Sequence, residues 1–216
     1  AWKEVAQGIA HEIKNPLTPI QLNTQRLKKK YYENREDFAR VFDESINIIS
    51  QEVEGMKDLL NEFLRFSRMP TPDPQPISLH KIINDTLISY SEHKKNIQIK
   101  KSLDPNLAQL TIDPEQIRRV LINLFENATD AIDEGGIIQI TTKILEGNKW
   151  VRIEFSDNGA GISSSDREKL FLPHFTTKKR GTGLGLAIVN RIIIDHNGTI
   201  KVQDNYPKGT TFIIDL

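Results

Sequence analysis

Apolar residues recur through the first third of the chain at intervals of three and four. Val5, Ile9, Ile13, Leu17, Ile20, Leu27 and Tyr31 form one such row and predict a helix over residues 2–31. A polar stretch, YENRED, interrupts it. Phe42, Ile46, Ile49, Val53, Met56, Leu60 and Phe63 then alternate steps of four and three, a heptad seam that predicts a second helix in a supercoiled bundle. Two long helices joined by a short turn make a hairpin. Each carries more apolar face than one partner covers, so a dimer of hairpins with four helices is the natural completion.

The pattern breaks at RMPTPDPQPI, with prolines at 70, 72, 74 and 76. Alternating prolines forbid helix and favour extended chain, which sets a linker at 69–76 between a helical domain, 1–68, and a second domain, 77–216. In that second domain ISLHKIINDTLISY predicts a helix with Leu79, Ile82, Ile83, Leu87 and Tyr90 on one side. NIQIKKSL and QLTID read as short strands. Asp113-Pro114-Glu115-Gln116 starts a helix, with Asp as N-cap and Pro at the first helical position. That helix runs to about Asp133 and stops at EGG. IIQITTKILEGNKWVRIEFSDN reads as a hairpin around Gly147-Asn148. GLGLAIVNRIIIDHNG is a core-type helix ending on Asn-Gly, and GTIKVQDN and GTTFIIDL close the chain as strands. Helices mixed with a largely antiparallel sheet make an α+β layer fold.

Composition narrows the function. Lys+Arg and Asp+Glu are both 29 in 216 residues, so the net charge is zero and the basic excess of a nucleic-acid binder is missing. There is no cysteine, hence no disulfide and no thiolate metal site. No apolar run approaches the ~20 residues of a membrane span. The chain opens inside an apparent helix without methionine, as a piece of a longer protein would. A membrane anchor in the parent is therefore left open.

Chemistry concentrates in four places. NLFENATDA puts Asn123 and Asn127 four apart on one helix face, where amide oxygens suit a hard cation already holding phosphates, or are simply surface polar groups. DNGAGI follows a strand, with Asp157 at its end and Gly159 and Gly161 allowing a sharp turn and close approach of a ligand. GTGLGL opens a helix with Gly181, Gly183 and Gly185, whose exposed amides suit phosphate oxygens. It matches a dinucleotide fingerprint only superficially, because no strand feeds it. Upstream, HEIKNPLTP sets His11 and Glu12 before Pro16 and Pro19 in a helix. Each proline deletes a helical hydrogen bond at a cost of about 3 kcal/mol, freeing the carbonyls of Glu12 and Asn15. A bend just beyond His11 is the expected result.

In this order and spacing, the asparagine helix, DNGAG, FLPHF and GTGLGL resemble the N, G1, F and G2 boxes of the gyrase, Hsp90, histidine-kinase and MutL ATP-binding superfamily. With HEIKNP upstream, the whole chain resembles a sensor histidine kinase core, and AHEIKNPLTPIQLNTQRLKKKY resembles the NtrY-type nitrogen-regulation sensors. The resemblance implies a dimeric four-helix bundle followed by an α+β sandwich of the GHKL, or Bergerat, type. It implies His11 as phosphoacceptor, Glu12 as the acidic neighbour that orients the imidazole and receives its proton, and Asn15 as the residue that positions water for dephosphorylating a partner. Asp157 corresponds to the acceptor of the adenine amino group, and Asn127, with Asn123 close by, to the Mg²⁺ ligand. Asp130, Gly159, Gly161 and Ile162 line the same ATP site. Lys178 lies where lid side chains reach the phosphates, and Gly181, Thr182, Gly183, Leu184 and Gly185 form the lid hinge. The implied partners are a second copy of the chain and a response-regulator receiver domain, NtrX-like by the subfamily resemblance. The implied location is the cytoplasmic portion of a membrane-anchored sensor.

One departure separates the superfamily's members. ATP-hydrolysing relatives carry a glutamate four residues before the metal-binding asparagine, as base for the attacking water. Asn123 stands there and cannot accept a proton, and Glu126 lies roughly 100° round the helix from Asn127. That favours phosphoryl transfer over hydrolysis. Two alternatives stay open: a catalytically silent dimeric module that binds ATP, and a GHKL-type ATPase that clamps a client. Intact His11, Glu12, Asn127 and Asp157 speak against the first, Asn123 and the short lid against the second. His80, His93, His174 and His196 read as structural or surface residues.

Overall fold

Both apolar rows form helices, α1 (Trp2–Glu33) and α2 (Phe38–Ser67), in the computed structural model. The structure describes residues 2–33, 37–67, 69–91, 97–133, 135–145, 147, 150–173, 175–178 and 181–216. For residues 2–12, 58, 62–63, 65–67 and 89–91 it describes the backbone alone. The side chains of Val5, Ile9, His11, Glu12, Phe63 and Tyr90 therefore lie outside the described residues, as do His93, Asn148 and His174 altogether. The chain divides into two compact units, residues 1–69 with 173–184, and residues 70–172 with 185–216.

In the first unit α1 continues through Pro16 and Pro19 without a break. Around them Thr18 Oγ1 donates to the Lys14 carbonyl at 3.2 Å and Asn23 Nδ2 to that of Pro19 at 2.9 Å, side-chain contacts of the kind that bend helices. The single seam expected on α2 divides in two. Val41, Ser45 and Leu59 are buried, and Ile49, Glu52 and Met56 are half-buried at positions that continue that stripe. Phe42, Ile46, Val53 and Leu60 instead stay exposed. The stripes lie one residue apart on the helix, so a row that alternates fours and threes drifts from one to the other. On α1, Ile13, Ile20 and Leu27 are half-buried whereas Leu17 and Tyr31 are exposed.

The second unit is built on a five-stranded sheet of order β2-β4-β5-β7-β6, where β2 is Ile97–Ser102, β4 Gly136–Ile144, β5 Val151–Asp157, β6 Thr199–Asp204 and β7 Thr210–Asp215. The β2–β4 pair is parallel and the others antiparallel. The β4–β5 hairpin forms as the turn residues indicated, closed by Leu145 N donating to the Trp150 carbonyl at 2.9 Å. The two short strands read from NIQIKKSL and QLTID part company. β2 joins the large sheet, but β3 (Leu110–Ile112) pairs with β1 (Gln75–Ile77), the tail of the proline-rich stretch.

Three helices, α3 (Leu79–Ser91), α4 (Pro114–Ala131) and α6 (Gly185–Asp195), cover the sheet, with the short α5 (Ser164–Arg167) between β5 and α6. Their buried faces are Leu79, Ile82, Ile83 and Leu87, then Val120, Leu121, Leu124 and Phe125, then Ile188, Val189, Ile192 and Ile193. These meet Ile138, Ile140, Ile153, Phe155, Phe212 and Ile214 of the sheet. Phe125 stands edge-on to Phe155 with centroids 4.9 Å apart, which anchors α4 on the centre of the sheet. Asp113 caps α4, its Oδ1 accepting from the amides of Glu115 and Gln116 at 3.0 Å each. His80 is structural, its Nε2 lying 3.1 Å from Thr142 Oγ1.

The end of α6 is made by Asn197, not by the glycine after it. Asn197 takes the left-handed φ of 58°, and Gly198 donates its amide to the Ile193 carbonyl at 2.8 Å. Gly198 is needed for space, because a Cβ there would lie 2.5 Å from the Asp215 carbonyl oxygen. Gly198→Ala is expected to lower stability by about 1–3 kcal/mol in urea denaturation. Asn197→Gly is expected to stay within ~0.5 kcal/mol of the parent. Equal effects of the two substitutions would refute this division of roles.

Candidate functional site

The inward face of β5 reads Val151, Ile153, Phe155 and then Asp157. Strand alternation carries the carboxylate into the apolar layer, where Asp157 is 3 % exposed. Two amides converge on its Oδ1, from Gly159 at 2.8 Å and Thr210 at 3.3 Å. Among the described residues none donates to its Oδ2. Asn205 Nδ2 donates to the Asp157 carbonyl at 2.7 Å, and Gly209 lies so close to that carbonyl that a Cβ would collide with it. Burial pushes the Asp157 carboxyl above the ordinary aspartate value, while the Gly159 and Thr210 amides pull it back down.

The loop after Asp157 is wedged against the end of α4. Ala160 N donates to the Ala131 carbonyl at 2.9 Å, and a Cβ on Gly159 would sit 2.6 Å from that same oxygen. Gly161 takes a φ of +81°, a conformation that favours glycine, beside the Gly209 carbonyl. Ile162 offers its carbonyl to Arg167 Nη2 at 3.3 Å, and Arg167 also pairs with Asp204 at the end of β6.

On α4, Asn123 and Asn127 are half-buried one turn apart, while Glu126 and Asp130 are exposed. Asn123 Nδ2 donates back to the Arg119 carbonyl at 2.9 Å. Its Oδ1 faces Gly185, where a Cβ would lie 2.7 Å away, so a side chain at 185 would displace the Asn123 amide where α6 meets α4. The structure thus brings together Asp157, Gly159, Gly161 and Ile162 with the end of α4, and Asn123 with Gly185.

Lys178, Gly181, Thr182, Gly183 and Leu184 fall in the other compact unit. They form a turn of their own: Lys178 N donates to Thr176 Oγ1 at 3.1 Å, and Gly181 N to the Lys178 carbonyl at 3.3 Å. Gly183 has a φ of 64°, Lys178 is exposed and Leu184 is buried. At the other candidate centre the backbone of His11 and Glu12 lies within α1, and Asn15 is exposed one turn on. Sequence reading missed Asn205, Gly209, Thr210 and Arg167. The Gly-Thr pair opening the last strand was a visible signal for two of them.

Two family models match this chain. The His Kinase A (phospho-acceptor) domain covers residues 1–72, and the histidine kinase-, DNA gyrase B- and HSP90-like ATPase covers residues 112–216. The chain belongs to the sensor histidine kinase family. The sensor histidine kinase ZraS of Escherichia coli (strain K12) is 33% identical over 100% of this chain and 45% of its own length. The nitrogen regulation protein NtrY of Azorhizobium caulinodans is 34% identical over 97% of this chain and 28% of its own length. The chain therefore spans less than half the length of either histidine kinase. Among solved structures, the catalytic domain of histidine kinase ThkA matches with a TM-score of 0.61 and 34% identity over 67% of this chain and 95% of that one. Histidine kinase ThkA in complex with response regulator protein TrrA matches with a TM-score of 0.74 and 30% identity over 99% of this chain and 60% of that one. The expected fold class, a helical region followed by an α+β domain of the GHKL kind, holds.

The raised Asp157 value has a measurable consequence. The fold favours the protonated carboxyl, so the nucleotide-free chain loses stability as the pH climbs from the ordinary aspartate value of 3.8 through the raised one. Asp157→Asn keeps an oxygen for both amides and buries no charge. Thermal melting should therefore show it more stable than the parent at pH 7, the gap closing as the pH falls below 3.8. A gap independent of pH would contradict this.

Proposed function

We propose that the chain is the phosphotransfer core of a two-component sensor kinase. With Mg²⁺ and ATP it phosphorylates His11, passes the phosphoryl group to an aspartate of a response-regulator receiver domain, and removes it from that regulator again. It acts as a homodimer through the helical hairpin, with residues 1–68 as the dimerisation and phosphoacceptor domain, 69–76 as linker and 77–216 as the ATP-binding domain.

The observation that carries this reading is the Asp157 carboxylate. It is buried, one oxygen takes two backbone amides, and the other has no donor among the described residues. That second oxygen is not one of the fully buried atoms without a partner, so it is open to a ligand, and the exocyclic amine of adenine supplies a donor to it. Gly159, Gly161 and Ile162 form the adjoining loop. Asn127, with Asn123 a turn before it and Asp130 after it, would hold Mg²⁺. Among the described residues no three His, Asp or Glu side chains come together, which suits a cation that arrives with the triphosphate and keeps phosphate and water ligands. Bound there, Mg²⁺ supplies charge neutralisation for the phosphates. Lys178 would add a cation, and Gly181, Thr182, Gly183, Leu184 and Gly185 would offer amides and a hinge.

No base for hydrolysis is proposed on α4. Asn123 cannot take a proton, and the exposed Glu126 points elsewhere on the helix. The acceptor is then His11. A neutral ring nitrogen attacks the γ-phosphorus, the bond to the bridging oxygen breaks, ADP leaves, and the ring proton passes to Glu12. Asn15, four residues along α1 from His11, would orient water in the reverse, dephosphorylating reaction.

Exposed Phe42, Ile46, Val53 and Leu60 on α2 support the dimer. An NtrX-like regulator suits the likeness to NtrY. No helix among the described residues is long and apolar enough to cross a membrane, and on this reading the anchor belongs to a part of the parent outside these residues, which form its cytoplasmic portion.

Incubation with γ-labelled ATP and Mg²⁺ should give acid-labile, alkali-stable label that disappears in His11→Gln and falls at least roughly tenfold in Asn127→Ala, the scale of a lost metal-site contact. ATP binding without label would point to a silent nucleotide-binding module. In sedimentation, Val53→Glu with Leu60→Glu should shift the chain to monomer. An unchanged dimer would remove these residues from the interface.

A further inference from the structure

His196 follows α6 and is half-buried, and both of its ring nitrogens are engaged. Nδ1 lies 2.8 Å from the Ile192 carbonyl, so it carries the proton and donates. Nε2, left with its lone pair, accepts from the Asp113 amide at 3.0 Å. Asp113 is the N-cap of α4 and is 8 % exposed, and its second carboxylate oxygen accepts from the Asp73 amide at 3.0 Å. Gln116, in the first turn of α4, donates its Nε2 to the Pro70 carbonyl at 3.1 Å. Residues 70–77 are thus fastened to the start of α4 by Asp113, by Gln116 and by the pairing of β1 with β3.

α6 meets α4 at both ends, by close approach at one and by a hydrogen bond at the other. Gly185 meets Asn123 and His196 meets Asp113, which makes the two helices antiparallel. The two contacts are ten residues apart on the α4 side and eleven on the α6 side, about 15 and 16 Å of helix, so both are met in one axial register, which the His196 bond fixes. One end carries Asn123 and Gly185, and the other carries residues 70–77.

We propose that His196 is a positioning residue for the kinase reaction: by accepting the Asp113 amide it holds α6 in register with α4 and joins the incoming 70–77 segment to the helix pair that carries Asn123, Asn127 and Gly185. The role it plays in ATP use rests on the reading of the chain as a histidine kinase core. A plain C-terminal cap for α6 would need only the Nδ1 bond to Ile192. The Nε2 bond reaches a different helix and, through it, the linker.

Two conservative variants separate these roles. His196→Asn retains a donor at the Nδ1 position but no acceptor at Nε2, whereas His196→Gln places an oxygen at the Nε2 position. Amide exchange at Asp113 and at Thr71, Asp73, Gln75 and Ile77, followed in the nucleotide-free full chain, should quicken roughly tenfold or more in His196→Asn and return to the parent rate in His196→Gln, the change expected from one lost hydrogen bond with its donor left behind. In the labelling reaction the KM for ATP should rise by a similar factor in His196→Asn, with kcat changed less and His196→Gln restored. Exchange that is the same in both variants, whether parental or quickened, overturns the proposal. So does quickened exchange with an unchanged KM. If the parent chain takes no label, the kinase reading fails while the exchange comparison still decides the role of His196 in the clasp.

Discussion

The inward row of β5 ends on a charge. Val151, Ile153 and Phe155 face the core, and the next residue of that parity is Asp157. A carboxylate in that position is costly unless hydrogen-bonded, and the surrounding chain is arranged to meet the need. The loop turns at once so that Gly159 N can reach Oδ1, the last strand starts so that Thr210 N can, and Asn205 holds the carbonyl. The glycines at 159 and 209 follow from this convergence, since each lies where a Cβ would strike a backbone oxygen. The arrangement satisfies one carboxylate oxygen and leaves the other as an acceptor, the one that the proposed function gives to the amine of adenine.

The helical layer extends that logic outward. Phe125 against Phe155 sets α4 over the same strand, and the carbonyl of Ala131 takes the amide of Ala160, so the end of α4 and the loop after Asp157 share one position. α6 is then located by a hydrogen bond to the N-cap of α4 and by close approach of Gly185 to Asn123, not by apolar packing alone. Apolar faces slide at small cost, whereas a directed hydrogen bond fixes position along the axis. That distinction matters on the proposed reading, in which Gly185 at the start of α6 belongs to the phosphate-binding glycines and Asn127 on α4 would hold the metal.

Local rules made much of this legible. The Asp113 cap, the Pro at the first turn of α4, the β4–β5 hairpin and the Asn-Gly end of α6 depend on residues a few positions apart, and all appear where their chemistry indicated. Asp157 and the asparagine helix stood out through motif order. The division of the α2 seam was hidden, because residues one position apart on a helix lie about 100° apart and a single alternating row cannot say which partner each faces. The Gly209-Thr210 pair was visible, but its partner, like that of Asn205, was not: Asp157 lies about fifty residues earlier, joined through the β5–β7 pairing. The docking of the proline-rich stretch was likewise invisible. Alternating prolines correctly forbade helix, but nothing local revealed that Gln75–Ile77 would find β3.

The central claim is that Asp157 is buried in order to read a base. Its carboxyl ¹³C shift, followed against pH in the free chain and in the chain saturated with Mg²⁺-ATP, tests this directly. The account predicts a titration above the ordinary aspartate range in the free chain and a downward shift once an amine donates to the ionised oxygen. Titration unchanged by ATP that is demonstrably bound would mean that the base is recognised elsewhere.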